Sequence, residues 1–85
     1  MRTIKLAQLI LNSSHAFHGC VVGMFPLTND PEIEYDGITA KIFAYRKDGD
    51  DVIIRTEFGR DYRIIEPDKL FLTCLFDYLG NEHEF

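Results

Sequence analysis

Phe43-Ala44-Tyr45-Arg46-Lys47-Asp48-Gly49-Asp50-Asp51-Val52-Ile53-Ile54 is the stretch from which the fold is read. Two runs rich in β-branched and aromatic residues flank Asp48-Gly49. Asp-Gly suits a two-residue type I′ hairpin, in which both central residues need positive φ. That turn sets Lys47 opposite Asp50, Tyr45 opposite Val52 and Phe43 opposite Ile54. A second turn at Gly59-Arg60-Asp61 extends the hairpin. A three-residue loop there aligns Phe58 with Tyr62, Thr56 with Ile64 and Glu57 with Arg63. The hydrophobic pattern favours this length, because a one-residue slip would swap every side chain between faces. Residues 38–66 thus read as a three-stranded meander. Its core face carries Phe43, Tyr45, Val52, Ile54 and Phe58. Its other face mixes Ala40, Ile42, Ala44, Ile53 and Ile65 with Arg55, Glu57 and Arg63, and is expected to be partly covered.

Towards the C-terminus, Lys69, Thr73 and Asp77 recur every fourth position between apolar residues, a helical period. Pro67 suits the first helical position and Gly80 a place just past the end, so 67–79 reads as a helix, with a strand as the alternative that its Phe, Thr, Cys and Tyr residues favour. Towards the N-terminus, residues 26–31 are a loop punctuated by Pro26, Asn29, Asp30 and Pro31. Residues 19–25 read as a short buried strand. Residues 3–12 read as a helix capped by Thr3, with Lys5, Gln8 and Asn12 on one narrow arc and Ile4, Leu6, Ala7, Leu9, Ile10 and Leu11 around the rest. The expected fold is α+β: an antiparallel sheet of about four strands packed by an N-terminal and a C-terminal helix, in a single domain over residues 1–85.

The meander from Ile38, followed by Pro67-Asp68-Lys69-Leu70, resembles the closing strands of SH3-like or Tudor-like barrels. It covers about a third of the chain. The resemblance implies an alternative fold, a small SH3-like β-barrel with an N-terminal helix, and carries no function with it.

The chain has 85 residues, 46% hydrophobic and 27% charged, with a net charge of −5. It is too apolar for disorder and has no apolar run long enough to span a membrane. The stretch Leu6–Leu11, broken by Gln8, is too short for a signal-peptide core. With two cysteines, Cys20 and Cys74, the expected setting is a reducing cytoplasm and free thiols. A domain this small has little core, and dimerisation is one way to add burial.

The charge surplus is local. Residues 37–69 carry seven bases and seven acids, whereas 6–36 carry four acids and no base. Asp30-Pro31-Glu32-Ile33-Glu34-Tyr35-Asp36 alternates strictly. In extended chain its four carboxylates line one side about 6.7 Å apart, roughly half the linear charge density of a nucleic-acid strand. Asp77, Glu82 and Glu84 form a second, C-terminal concentration. An acidic row of this kind suits a partner protein with a basic surface, such as the groove of a nucleic-acid-handling enzyme. Tyr35 and Ile33 are candidate anchors.

Other chemistries are weakly represented. His15, His18, Cys20 and His83 lack the paired spacing of a zinc site. Ser13, Ser14 and His15 are adjacent without a nucleophile-elbow motif, and no phosphate-binding glycine loop occurs. The bases Lys41, Arg46, Lys47, Arg55, Arg60 and Arg63 are interleaved with acids, so nucleic acid is a secondary expectation. The sequence therefore points to a non-enzymatic, cofactor-free protein-binding module, with an inhibitor that occludes a basic surface as the specific form expected. A nucleic-acid-binding module and a structural or oligomerisation subunit are the alternatives.

Overall fold

The computed structural model describes residues 1–80. Six strands precede one helix: β1 Arg2–Leu9, β2 Val21–Pro26, β3 Glu34–Ile38, β4 Ile42–Asp48, β5 Asp51–Thr56, β6 Asp61–Ile64 and α1 Lys69–Leu79. The strands form one mixed sheet in the order β3-β2-β1-β6-β5-β4. It consists of two antiparallel meanders, β1-β2-β3 and β4-β5-β6, joined by the parallel pair β1–β6, with Ile4 opposite Ile64. The sheet is open, so β3 and β4 are its edges.

This architecture corrects the expected α+β fold in two respects. Six strands in a mixed sheet replace about four antiparallel ones, and residues 3–12 are not a helix. The SH3-like barrel falls as well, because the sheet does not close and no N-terminal helix precedes it. The misleading signal is a β-bulge. The register between β1 and β2 shifts between Lys5 and Gln8, and Leu6 has a φ of +54°. Lys5 and Leu6 are consecutive exposed residues, so the buried ones, Ile4 and Ala7, fall three apart. A bulged strand thereby imitates the i, i+3 spacing of a helix.

The meander's turns are also displaced. Asp48 pairs with Asp51, so the first loop is Gly49-Asp50, with positive φ at Gly49 alone, as in a type II′ turn. Lys47 therefore faces Val52 and Tyr45 faces Ile54. At the second turn Ile54 pairs with Tyr62 and Arg55 with Asp61, leaving Glu57-Phe58-Gly59 as a three-residue loop with positive φ at its last position. Both displacements shift the pairing by an even number of residues. Tyr45, Val52, Ile54, Tyr62 and Ile64 therefore keep the core face and are buried. Phe43 and Phe58 do not. A register shift between Ile42 and Ala44 turns Ile42 inward and Phe43 outward, and Phe58 is 82% exposed at the loop tip.

The helix covers the inner face of the sheet. Asp68 caps it, accepting a 2.7 Å hydrogen bond from the Phe71 amide, so Pro67 precedes the cap rather than opening the helix. Phe71, Leu75 and Leu79 enter a core with Ile4, Ala7, Val21, Phe25, Tyr45 and Ile54. Lys69, Thr73 and Asp77 are exposed. At the β1–β2 contact the strands approach so closely that a Cβ on Gly23 would lie 2.7 Å from the Lys5 carbonyl oxygen. Backbone cannot yield there as a flexible side chain would. Gly23→Ala is expected to lower the unfolding free energy by about 1–3 kcal/mol, read as an earlier urea midpoint with an unchanged m-value.

Candidate functional site

The outer face of the sheet, opposite α1, divides into two regions. Over β4-β5-β6 it is laced with ion pairs. Arg55 donates two hydrogen bonds to Asp61, at 2.8 and 3.0 Å, and Arg63 bridges Asp48 and Asp51 at 2.6 and 3.2 Å. Lys47 lies on the other face, with its ammonium 5.1 Å from the centre of the Phe76 ring. Tyr45 and Tyr62 are buried in the core, where they cannot stack on bases. Arg55 and Arg63 are thus engaged by neighbouring acids, which interrupts the continuous positive field that nucleic acid requires.

Over β1-β2-β3 the outer face is different. Leu6, Gln8, Val22, Met24, Asp36 and Ile38 border an open groove of about 520 Å³. Leu6 is 79% exposed and Ile38 43% exposed. The bulge aims Leu6 into this groove at a positive φ, a conformation that costs a non-glycine residue about 1–2 kcal/mol. Backbone strain of this kind clusters at active sites, ligand clamps and switch regions.

The acidic row reaches this groove at Asp36 and is not a straight ladder. Asp30 to Ile33 form a turn closed by a 3.0 Å bond from the Ile33 amide to the Asp30 carbonyl oxygen, and only Glu34 onward is strand. Glu34 and Asp36 share the outer face. Glu34 accepts a 2.8 Å hydrogen bond from Lys5, and this bond raises the ammonium's pKa above its ordinary value. Asp30, Glu32 and Asp36 are exposed. Tyr35 points to the inner face, where it stacks on Phe25 at 5.7 Å. The Arg2 guanidinium donates to its hydroxyl and to the Pro26 carbonyl oxygen, so Tyr35 fastens β3 to the core. Ile33 is exposed in the turn. Asp77 sits apart, on the solvent side of α1. Glu82 and Glu84 lie outside the described residues.

The acids are legible in the sequence and the groove is not. Its apolar wall comes from Leu6, assigned to a helix, and from Val22, Met24 and Ile38, whose outward orientation depends on strand pairing. The remaining candidates do not converge. His15 is exposed, and its Nδ1 accepts a 3.0 Å bond from the Phe17 amide. The ring of His18 meets Tyr78 edge-on at 5.4 Å. Cys20 is buried, and burial pushes its thiol pKa up; Cys74 is on α1, and both are free. Among the described residues no group of three His, Cys, Asp or Glu side chains is placed to hold a metal ion, and no helix is long and apolar enough to cross a membrane.

Two outcomes follow from this geometry. Leu6→Asn keeps a residue tolerant of positive φ and removes little buried surface, so it is expected to leave the thermal midpoint unchanged or raise it; a marked fall would show that Leu6 is structural. The bonds from Arg55 hold the Asp61 carboxyl below its usual range in the fold. Ionised Asp61 therefore favours the native state above the unfolded value of about 3.9, and this contribution fades as pH falls through the lower folded value. The stability gap between wild type and Asp61→Asn should shrink on acidification, as urea titrations across the acid range would show. Compared with known proteins, the chain matches no family model, no curated protein and no solved structure.

Proposed function

We propose that the chain is a non-enzymatic protein-binding module whose partner presents a basic surface. The observation that supports this reading is the exposure of Asp36 on an open sheet edge beside an apolar groove, with Asp30 and Glu32 exposed in the turn that leads into that edge. The carboxylates would steer a basic partner and fix its orientation. The groove would supply the apolar area that charge alone does not. Such a module acts by covering its partner's basic surface; where that surface normally holds nucleic acid, covering it inhibits. The ion pairs over β4-β5-β6 favour this reading over binding of nucleic acid by the meander.

The test is affinity purification from the native host with the wild-type chain and with the variant Asp30→Asn/Glu32→Gln/Asp36→Asn, each at low and high salt. The expected result is a basic protein retained by wild type at low salt, released by salt and not retained by the variant. Retention that is the same for both chains and insensitive to salt overturns the proposal. A shift of labelled single-stranded or duplex nucleic acid at low salt, unaffected by the acid substitutions, would replace it with the nucleic-acid reading.

A further inference from the structure

The β3 edge offers a mode of binding as well as a charge. Two hydrogen bonds establish which way its backbone faces. The Leu27 amide donates to the Ile33 carbonyl oxygen at 2.8 Å, and the Thr39 amide donates to the Val21 carbonyl oxygen at 2.9 Å. The pairing between them is regular, from Pro26 opposite Glu34 to Val22 opposite Ile38. In an antiparallel ladder the bonded residues alternate, so 33, 35, 37 and 39 turn their N–H and C=O groups to β2. Glu34, Asp36 and Ile38 turn theirs outward, at the free edge. The side chains of these same three residues lie on the outer face, with Asp36 opposite Met24 and Ile38 opposite Val22 at the groove.

We propose that this edge takes an extended basic segment of a partner protein as a seventh, antiparallel strand. This rests on the acidic protein-binding reading above and specifies how that contact is made. In an antiparallel pair, directly opposed residues place their side chains on the same face. Partner residues bonded to the backbone of Glu34 and Asp36 therefore present their side chains to those carboxylates, and lysine or arginine is the complementary choice. The next bonded residue lies beside Ile38 and reaches the groove that Leu6, Val22 and Met24 line. The intervening residues fall on the inner face beside Tyr35, which is 37% exposed and stacked on Phe25, so apolar side chains suit them. The occupant is thus a strand that alternates basic and apolar residues.

Charge disfavours a second copy of this chain in the registers that centre on the acids. A two-fold pairing of β3 centred on Asp36 sets Asp36 against Asp36, and one centred on Tyr35 sets Glu34 against Asp36. Like charges directly opposed are destabilising. The edge is also held ready: Arg2 bonds to the Tyr35 hydroxyl and the Pro26 carbonyl oxygen, so little ordering of β3 remains when a strand arrives.

The test uses the intact wild-type chain and a Lys-Val repeat peptide in three forms of equal charge: unmodified, N-methylated at every lysine, and N-methylated at every valine. Antiparallel addition places the lysine amides against β3. The expected result is salt-sensitive binding of the unmodified peptide. Methylation at lysine should weaken it by about tenfold or more, as the loss of several hydrogen bonds requires, and methylation at valine should cost far less. Ile38→Pro, which removes one outward N–H and no charge, should weaken binding of the unmodified peptide in the same direction. Equal binding of all three peptides, weakened alike by Asp36→Asn, overturns strand addition while leaving the acidic-module reading intact. Failure of the unmodified peptide to bind at low salt overturns strand addition, and the purification above then decides the broader reading by itself. A chain that self-associates and becomes monomeric with Ile38→Pro would place a second copy on the edge and overturn the proposal.

Discussion

The parallel pairing of β1 with β6 is the constraint on which the rest of the structure depends. Each meander is local, its strands linked by short or moderate connections, and a three-stranded unit alone buries only one face. The pairs Arg2–Tyr62, Thr3–Arg63 and Ile4–Ile64 join the first and the last strand in sequence and fuse both meanders into one sheet. A 3.0 Å bond from the Ile65 amide to the Ile4 carbonyl oxygen continues it beyond the last paired residue. Only across the fused sheet do Phe25 and Tyr62 meet edge-on, at 5.9 Å, and only then is there a floor wide enough for Phe71, Leu75 and Leu79 to bury against. Placing β1 in the middle also fixes what is left at the margins. The edges are β3 and β4, and β3 carries the acids.

The bulge at Leu6 connects this constraint to the surface. A central strand must present alternate residues to the core on a twisted sheet, and the extra residue lets Ile4 pair with Ile64 while Ala7 and Leu9 still face inward beside β2. The residue displaced by that adjustment has to go outward. It is a leucine at positive φ rather than the glycine or asparagine that such a position favours. Folding alone does not call for leucine there. The groove it helps to wall, between β1 and the acidic edge, gives its side chain a use.

Much of this was legible in the sequence where short-range chemistry decides and illegible where pairing decides. The helix over Lys69–Leu79 follows from a four-residue polar period that no strand reproduces. The two turns of the second meander were misplaced because Asp48-Gly49-Asp50 and Gly59-Arg60-Asp61 each allow more than one loop with glycine at positive φ. The inward set Tyr45, Val52, Ile54, Tyr62 and Ile64 survived because both displacements are even. The bulge hid β1, since two consecutive outward residues give Ile4 and Ala7 a helical spacing. The same kind of irregularity between Ile42 and Ala44 exchanged Ile42 for Phe43. The acidic row was visible as alternation, but the Asp30–Ile33 turn that bends it, and the engagement of Glu34 by Lys5, are tertiary facts.

The position of the charge bears on why an open edge is tolerable here. A free strand edge invites pairing with any other strand, and a second copy is always the nearest at hand. Carboxylates at Glu34 and Asp36 oppose that copy in the two-fold registers centred on Tyr35 or Asp36, each of which brings acid against acid. The same carboxylates attract a strand of opposite charge, so a single arrangement discourages self-association and selects a basic partner. Neutralising the acids would remove both effects together, whereas a bulge or a proline would have blocked the edge to all strands alike. Instead β3 is regular, contains no proline, and is secured to Phe25 by Tyr35 and Arg2. An edge protected by charge, with its backbone left free, remains available to a partner that matches the charge.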